Sequence, residues 1–139
     1  MQTVILAAGQ GTRMRPLTAT RPKPMLPVGD RPLVAHTAEA VVEAGASRLV
    51  IVGGYEAEAI RAYFGERYAG VPVEYAVQAE QRGTAHAVQA AREYLEAAPF
   101  AVLNGDDLYD ADSLARLFDA GPAVGGYEVA DPRPYGVLD

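Results

Sequence analysis

Lys23 is the only lysine in a chain of 139 residues, and it stands between Pro22 and Pro24. Every other fixed positive side chain is an arginine, so the surface is solvated without lysine. A compact ammonium between two residues of fixed φ suits a chemical task better than solvation. Upstream lies Ala8-Gly9-Gln10-Gly11-Thr12-Arg13-Met14. Its glycines let backbone N–H groups approach a phosphate chain, and Arg13 offers a planar fork of donors to neutralise it. The loop is no dinucleotide fingerprint, because Met14 stands where the third glycine belongs, and no Walker A loop, because Gly-Lys-Ser/Thr is missing. On its own this Gly-x-Gly turn suits phosphate binding and an ordinary tight turn about equally. The stretch that follows, to Pro27, holds four of the ten prolines and, counted with Arg13, four cations. It reads as a stiff, non-helical excursion.

The opposing charge comes from Asn104-Gly105-Asp106-Asp107. A carboxylate at the end of a strand is well placed for Mg²⁺, which prefers a few hard oxygens plus substrate phosphates to an all-protein cage. Asp107 and Asp110 read more simply as solvated residues or as the cap of the next helix. The segment Gln78 to His86 reads as a loop with Thr84 capping a helix. An amide such as that of Gln78 carries both donor and acceptor, which suits the imide edge of uracil or thymine without separating the two. His86 and His36 both read as structural.

These residues need a frame. Thr3–Ala7 reads as a buried strand, followed by a helix from Leu33 that stops at Gly45. Arg48–Val52 is a second buried strand. A short helix, Glu56 to Phe64, turns Ile60, Tyr63 and Phe64 inward. Val71–Val77 is a third strand, and Thr84 to Glu96 a helix with Val88, Ala91 and Leu95 on one face. Phe100–Leu103 is a fourth strand, and Leu114, Leu117 and Phe118 mark a helix ending at Gly121. Ala123–Val129 and Tyr135–Leu138 look extended. Strand–helix alternation predicts an α/β fold with a mostly parallel sheet between helices, and ligands in such sheets bind beyond the carboxyl ends of the strands. The residues after Ala7, Val77 and Leu103 are therefore the ones that meet a ligand.

Half the chain is hydrophobic and 22% is charged, the balance of one soluble domain. No apolar run reaches the ~20 residues of a membrane helix, and the start has no basic flank of a signal peptide. A net charge of −6 argues against general nucleic-acid affinity, though not against a small anion held by local cations. The absence of cysteine excludes disulfides and thiolate metal sites and fits a cytoplasmic location.

The stretch LAAGQGTRMRPLTATRPKPMLPVGDRPL, residues 6 to 33, closely resembles the signature of the sugar-1-phosphate nucleotidyltransferases, a Gly-x-Gly-Thr-Arg loop with Pro-Lys some ten residues later. The Gly-Thr-Ala-His form at residues 83 to 86 is most similar to the N-acetylglucosamine-1-phosphate uridylyltransferase branch, with the glucose-1-phosphate thymidylyltransferases beside it. The resemblance implies a three-layer α/β/α, Rossmann-like sheet of the GT-A-like nucleotidyltransferase fold, of which residues 1–139 would be the N-terminal, nucleotide-binding part, truncated at the C-terminus. It implies transfer of a nucleotidyl group from UTP or dTTP to a sugar 1-phosphate with Mg²⁺ as cofactor. Leu6, Ala7, Ala8, Gly9, Gly11, Thr12, Arg13 and Lys23 would bind the nucleotide, with the Gly9–Gly11 amides and Arg13 on its triphosphate and Lys23 at the α-phosphate, and Gln78, Gly83 and Thr84 would hold its base. Arg13, Lys23 and Asp106 would be catalytic, Asp106 would bind the metal, and Asn104, Tyr135 and Gly136 would meet the sugar. The partners implied are those two substrates, with no nucleic acid or membrane, and a homo-oligomer is left open. The family's domain continues past Asp139, so residues 1–139 alone are expected to bind nucleotide weakly and turn over poorly. Two other classes compete. An inactive regulatory paralogue would usually lose Arg13, Lys23 or Asp106, and an oxidoreductase is disfavoured by Met14 and the prolines.

Overall fold

The computed structural model describes residues 1–9, 14–54 and 57–137. Gln10 to Arg13, Tyr55, Glu56, Leu138 and Asp139 lie outside them.

Two strands of nearly unbroken β-branched and aliphatic residues form the centre. Strand β1 (Gln2–Ala7) lies parallel to β4 (Arg48–Gly53), with Val4 opposite Val50 and Ile5 opposite Ile51. Val4, Ile5, Leu49, Val50, Ile51 and Val52 are all fully buried, as a sheet covered on both faces requires. On the flanks, β6 (Val71–Val77) pairs with β4 and β7 (Phe100–Asn104) with β1, both parallel. The short β5 (Arg67–Tyr68) adds antiparallel to β6, giving the order β5-β6-β4-β1-β7. A separate two-stranded ribbon, β2 (Pro27–Val28) with β3 (Arg31–Pro32), leads into the first helix.

Alternation along the strands sends side chains into two cores. Ile5, Ala7, Leu49 and Ile51 face α1 (Leu33–Glu43), α2 (Ala57–Phe64) and α4 (Ala111–Asp119). Val4, Val50 and Val52 face α3 (Thr84–Ala91). The molecule is therefore a three-layer α/β/α structure with a mostly parallel sheet. Helix α1 ends as its glycine foretells. Gly45 takes φ +103°, its N–H donates to the Val42 carbonyl at 3.1 Å, and Ala46 N–H donates to that of Val41 at 2.9 Å. Among the described residues no helix is long and apolar enough to cross a membrane.

Five local expectations need correction. Tyr63 is not inward; it is 42% exposed and sets its ring edge-on to Phe64 at 4.9 Å, since α2 buries only the Ile60–Phe64 stripe. Ala91 is buried as expected and Leu95 packs half-buried against the same core, but Ala87 takes the place expected of Val88, a small residue that lets the helix lie close on β4. Helix α3 also stops earlier, passing at Arg92–Tyr94 into a single 3-10 turn. Gly83, not Thr84, takes the N-cap position, with φ +91° and no side-chain cap. Finally, the described part of residues 123–137 forms no strand, and Val124, Tyr127 and Val137 stand exposed.

Candidate active site

Pro22 and Pro24 are both buried, and the single 3-10 turn Lys23–Met25 between them packs on α1 and α2. The turn is closed by Met25 N–H to the Pro22 carbonyl at 2.9 Å and Leu26 N–H to the Lys23 carbonyl at 3.1 Å. This anchoring projects the Lys23 side chain across the rim of the sheet, where its Nζ donates to Asp106 Oδ2 at 2.6 Å. The two side chains are 30% and 40% exposed, so the pair is open to exchange with ligands.

Asp106 reaches that point because Gly105 precedes it. A Cβ there would lie 3.0 Å from the Leu6 carbonyl oxygen and 3.1 Å from Ile5 Cγ2, while Gly105 N–H donates to that same carbonyl at 2.8 Å. The chain leaving β7 thus hugs the end of β1, and the next side chain turns toward Lys23. The loop beyond is braced from below. Thr37, fully buried on α1, donates its hydroxyl to the Asp107 carbonyl at 2.9 Å, and Asn104 Nδ2 donates to Asp107 Oδ2 at 3.2 Å. Tyr109 accepts from Asn104 N–H at 3.1 Å, and burial together with the Asp107 carboxylate pushes its hydroxyl up to about 12. Asp110 caps α4, its carboxylate accepting from Ser113 N–H at 2.8 Å.

On the other side of β1, Gln78 leaves β6 almost fully buried, with its N–H donating to the Gly53 carbonyl at 2.8 Å. Its Nε2 lies 3.3 Å from the Gly83 carbonyl and 3.0 Å from His86 Nδ1. Gln81 Nε2 donates to the Ala8 carbonyl, tying this loop to the one after β1.

Together these segments enclose one cleft of about 390 Å³ at the carboxyl ends of β1, β6 and β7. Ten residues singled out in the sequence line it: Leu6, Ala7, Ala8 and Gly9; Lys23; Gln78, Gly83 and Thr84; and Asn104 and Asp106. Gln81, Pro24 and Ala87 line it as well and were not foreseen. Gln81 carried a signal, a second amide in the loop already linked to base binding. Tyr135 and Gly136 are not among the lining residues; Tyr135 is 56% exposed and meets the Tyr127 ring at 6.4 Å. Gly11, Thr12 and Arg13 lie outside the described residues. His36 lies apart from the cleft, its Nε2 2.7 Å from the Val28 carbonyl.

Among the described residues no group of three or more histidines and carboxylates could hold a metal alone. Asp106 nevertheless suits a hard cation, since one carboxylate oxygen meets Lys23 and the other has no partner among those residues. A lone carboxylate facing a cleft fits Mg²⁺ when phosphate oxygens complete the shell.

The family model described as "Nucleotidyl transferase" matches residues 2–139. The chain is 42% identical over 81% of its length to a UTP–glucose-1-phosphate uridylyltransferase of Haloferax volcanii, covering 46% of that protein. It is 37% identical over 99% of its length to a mannose-1-phosphate guanyltransferase of Candida albicans, covering 41% of it. A crystal structure of UDP-glucose pyrophosphorylase complexed with UDP-glucose superposes with a TM-score of 0.74 at 29% identity, over 85% of this chain and 52% of that one. The chain thus spans between a third and about half of the length of the proteins it matches.

Proposed function

Because this chain belongs to the nucleotidyl transferase family, we propose that the whole protein transfers a nucleotidyl group from UTP or dTTP to a sugar 1-phosphate, releasing pyrophosphate. The observation that carries the reading is the Lys23–Asp106 pair, facing a cleft walled by the β1 loop on one side and by Gln78 and Gly83 on another. A cation and a carboxylate at 2.6 Å beside open backbone are suited to crowded phosphates.

The reaction is an in-line displacement. A phosphate oxygen of the sugar 1-phosphate bonds to the α-phosphorus, and the bond from that phosphorus to the α,β-bridging oxygen breaks. The nucleophile is already ionised near neutral pH, so no general base is needed. Two anions must be brought together, and alignment with charge neutralisation is the protein's main contribution. The backbone from Leu6 to Gly9, continuing through Gly11 and Thr12 to Arg13, holds the triphosphate. Lys23, freed from Asp106 when phosphate arrives, sits between the α-phosphate and the incoming phosphate. Asp106 would hold Mg²⁺, which would supply positive charge to phosphate oxygens and to the leaving pyrophosphate. Gln78 and Gly83 meet the base and Asn104 the sugar, whereas Tyr135 and Gly136, assigned to the sugar by the family resemblance, stand outside the lining of the cleft. The chemistry fits a cytoplasmic enzyme.

The test is pyrophosphate release by the full-length gene product across a panel of sugar 1-phosphates and nucleoside triphosphates. Release with UTP or dTTP that requires both a sugar 1-phosphate and Mg²⁺ is the result expected. Nucleotide binding without turnover on any sugar phosphate would point instead to a regulatory paralogue.

A further inference from the structure

Gln78 is 5% exposed, and the way its amide is held limits what it can say to a ligand. Its Nε2 faces two groups, the Gly83 carbonyl at 3.3 Å and His86 Nδ1 at 3.0 Å. A carbonyl only accepts, so it fixes the amide with nitrogen toward Gly83; the reversed amide would set two carbonyl oxygens against each other. His86 Nδ1 must then accept the second N–H, which places the ring proton on Nε2. Both donors of Gln78 are thereby occupied. Its Oε1 has no partner among the described residues, and none of their fully buried side-chain polar atoms lacks one, so this oxygen is accessible and faces the cleft that Gln78 lines.

His86 itself does not line that cleft. It lines a neighbouring groove of about 360 Å³ with Val77, Glu80 and Gln89, which Gln78 does not line. The contact that joins His86 to the cleft is its hydrogen bond with the Gln78 amide.

We propose that His86 is a positioning residue that, with the Gly83 carbonyl, ties up both Gln78 N–H groups, so that the site reads a nucleobase through one acceptor and selects bases with a ring N–H at that edge. Uracil and thymine present such an N–H at N3 and guanine one at N1, whereas the corresponding ring nitrogen of cytosine or adenine is itself an acceptor and meets Oε1 as like to like. The inference rests on the reading of Gln78 as a base-binding residue and adds to it the polarity of the contact and the residue that sets it.

The experiment measures UTP and CTP binding to the full-length protein by calorimetry, with thermal unfolding and pyrophosphate affinity followed in parallel. In His86→Ala one N–H is released and the amide is held only by the 3.3 Å contact to Gly83, so it can offer a donor as well as an acceptor, and the UTP preference over CTP should fall by several-fold to about tenfold, the scale of one neutral hydrogen bond. Pyrophosphate affinity should not change. His86→Asn, whose Oδ1 can accept where Nδ1 does, should restore the preference. An unchanged preference in His86→Ala, or equal loss in His86→Ala and His86→Asn at unchanged pyrophosphate affinity, overturns the positioning role. Gln78→Ala separates the two ideas. If it leaves UTP affinity untouched, base reading by Gln78 falls, and this inference with it; if UTP weakens while His86→Ala changes nothing, only the inference falls.

Discussion

Lys23 and Asp106 neutralise each other at 2.6 Å, so each variant exposes what its partner does alone. Removing the ammonium in Lys23→Ala should lower turnover by about 10²-fold or more, the scale of one lost electrostatic contact in a transition state. Steady-state kinetics with turnover near that of the unaltered enzyme would remove Lys23 from the mechanism. Asp106→Asn keeps the shape but halves the appeal to a hard cation, so half-maximal activity should need clearly more Mg²⁺. An unchanged Mg²⁺ titration would move the metal site elsewhere. Lys23 was legible in the sequence because its flanking prolines and its uniqueness stand out without any fold. The Gln78–His86 contact was not. It spans eight residues of loop and helix and exists only because Gly83, at φ +91°, folds the loop back on itself. Periodicity carries no information about such a contact, and His86 read as a structural residue until the amide it holds was located.

Elements rather than single side chains decide how firmly the acid side of the cleft is set. Gly105 lets the end of β7 touch β1, so Gly105→Ala pushes a methyl group to within 3.0 Å of a backbone oxygen. The strands must part, and a loss of about 1–3 kcal/mol in chemical denaturation is expected, as for an overpacked core. A change indistinguishable from zero would mean that the two strand ends have slack. Farther along, Asp110 starts α4, and hydrogen bonds from the Ser113 hydroxyl and N–H hold its carboxyl below the ordinary 3.8. A carboxyl lowered on folding adds stability that is complete above that ordinary value and is lost as pH falls through the lower folded one. Asp110→Ala should therefore melt below the unaltered protein at neutral pH, and the gap should narrow on strong acidification; a gap independent of pH would show that the ionised cap is not what matters. At this scale the sequence was a good guide where the signal is local, as in the buried strands, the glycine stop of α1 and the Asp110 cap. It misled where neighbours decide. The small Ala87 fits α3 closely to β4 in place of the larger Val88, and Ala123–Val129 and the described residues from Tyr135 on have strand-like composition without a strand to pair with.

Across the whole molecule the site is unevenly built. The cleft has Lys23 and Asp106 on one side and Gln78 and Gly83 on another, but Tyr135 and Gly136 lie off it. The net charge of −6 makes local cations matter more, because the general field repels any anionic ligand. Apolar exposure is uneven too. Phe100 and Val102 on β7 are 43% and 40% exposed at an edge that, among the described residues, pairs only with β1, and Val124, Tyr127 and Val137 are more exposed still. An open apolar edge is a template for another strand. In the Haloferax relative, the matched region is 46% of the protein, so more than as much chain again is available there to cover such an edge and to complete a sugar pocket. A polypeptide confined to residues 1–139 is therefore expected to associate with rising concentration, to bind UTP weakly and to release little or no pyrophosphate. Light scattering, nucleotide titration and the release assay, run beside a polypeptide of the relatives' length, check all three. If the shorter polypeptide stays monomeric and turns over as fast as the longer one, then both substrates are handled by the cleft described here, and the sugar pocket must lie among residues whose side chains now point into solvent.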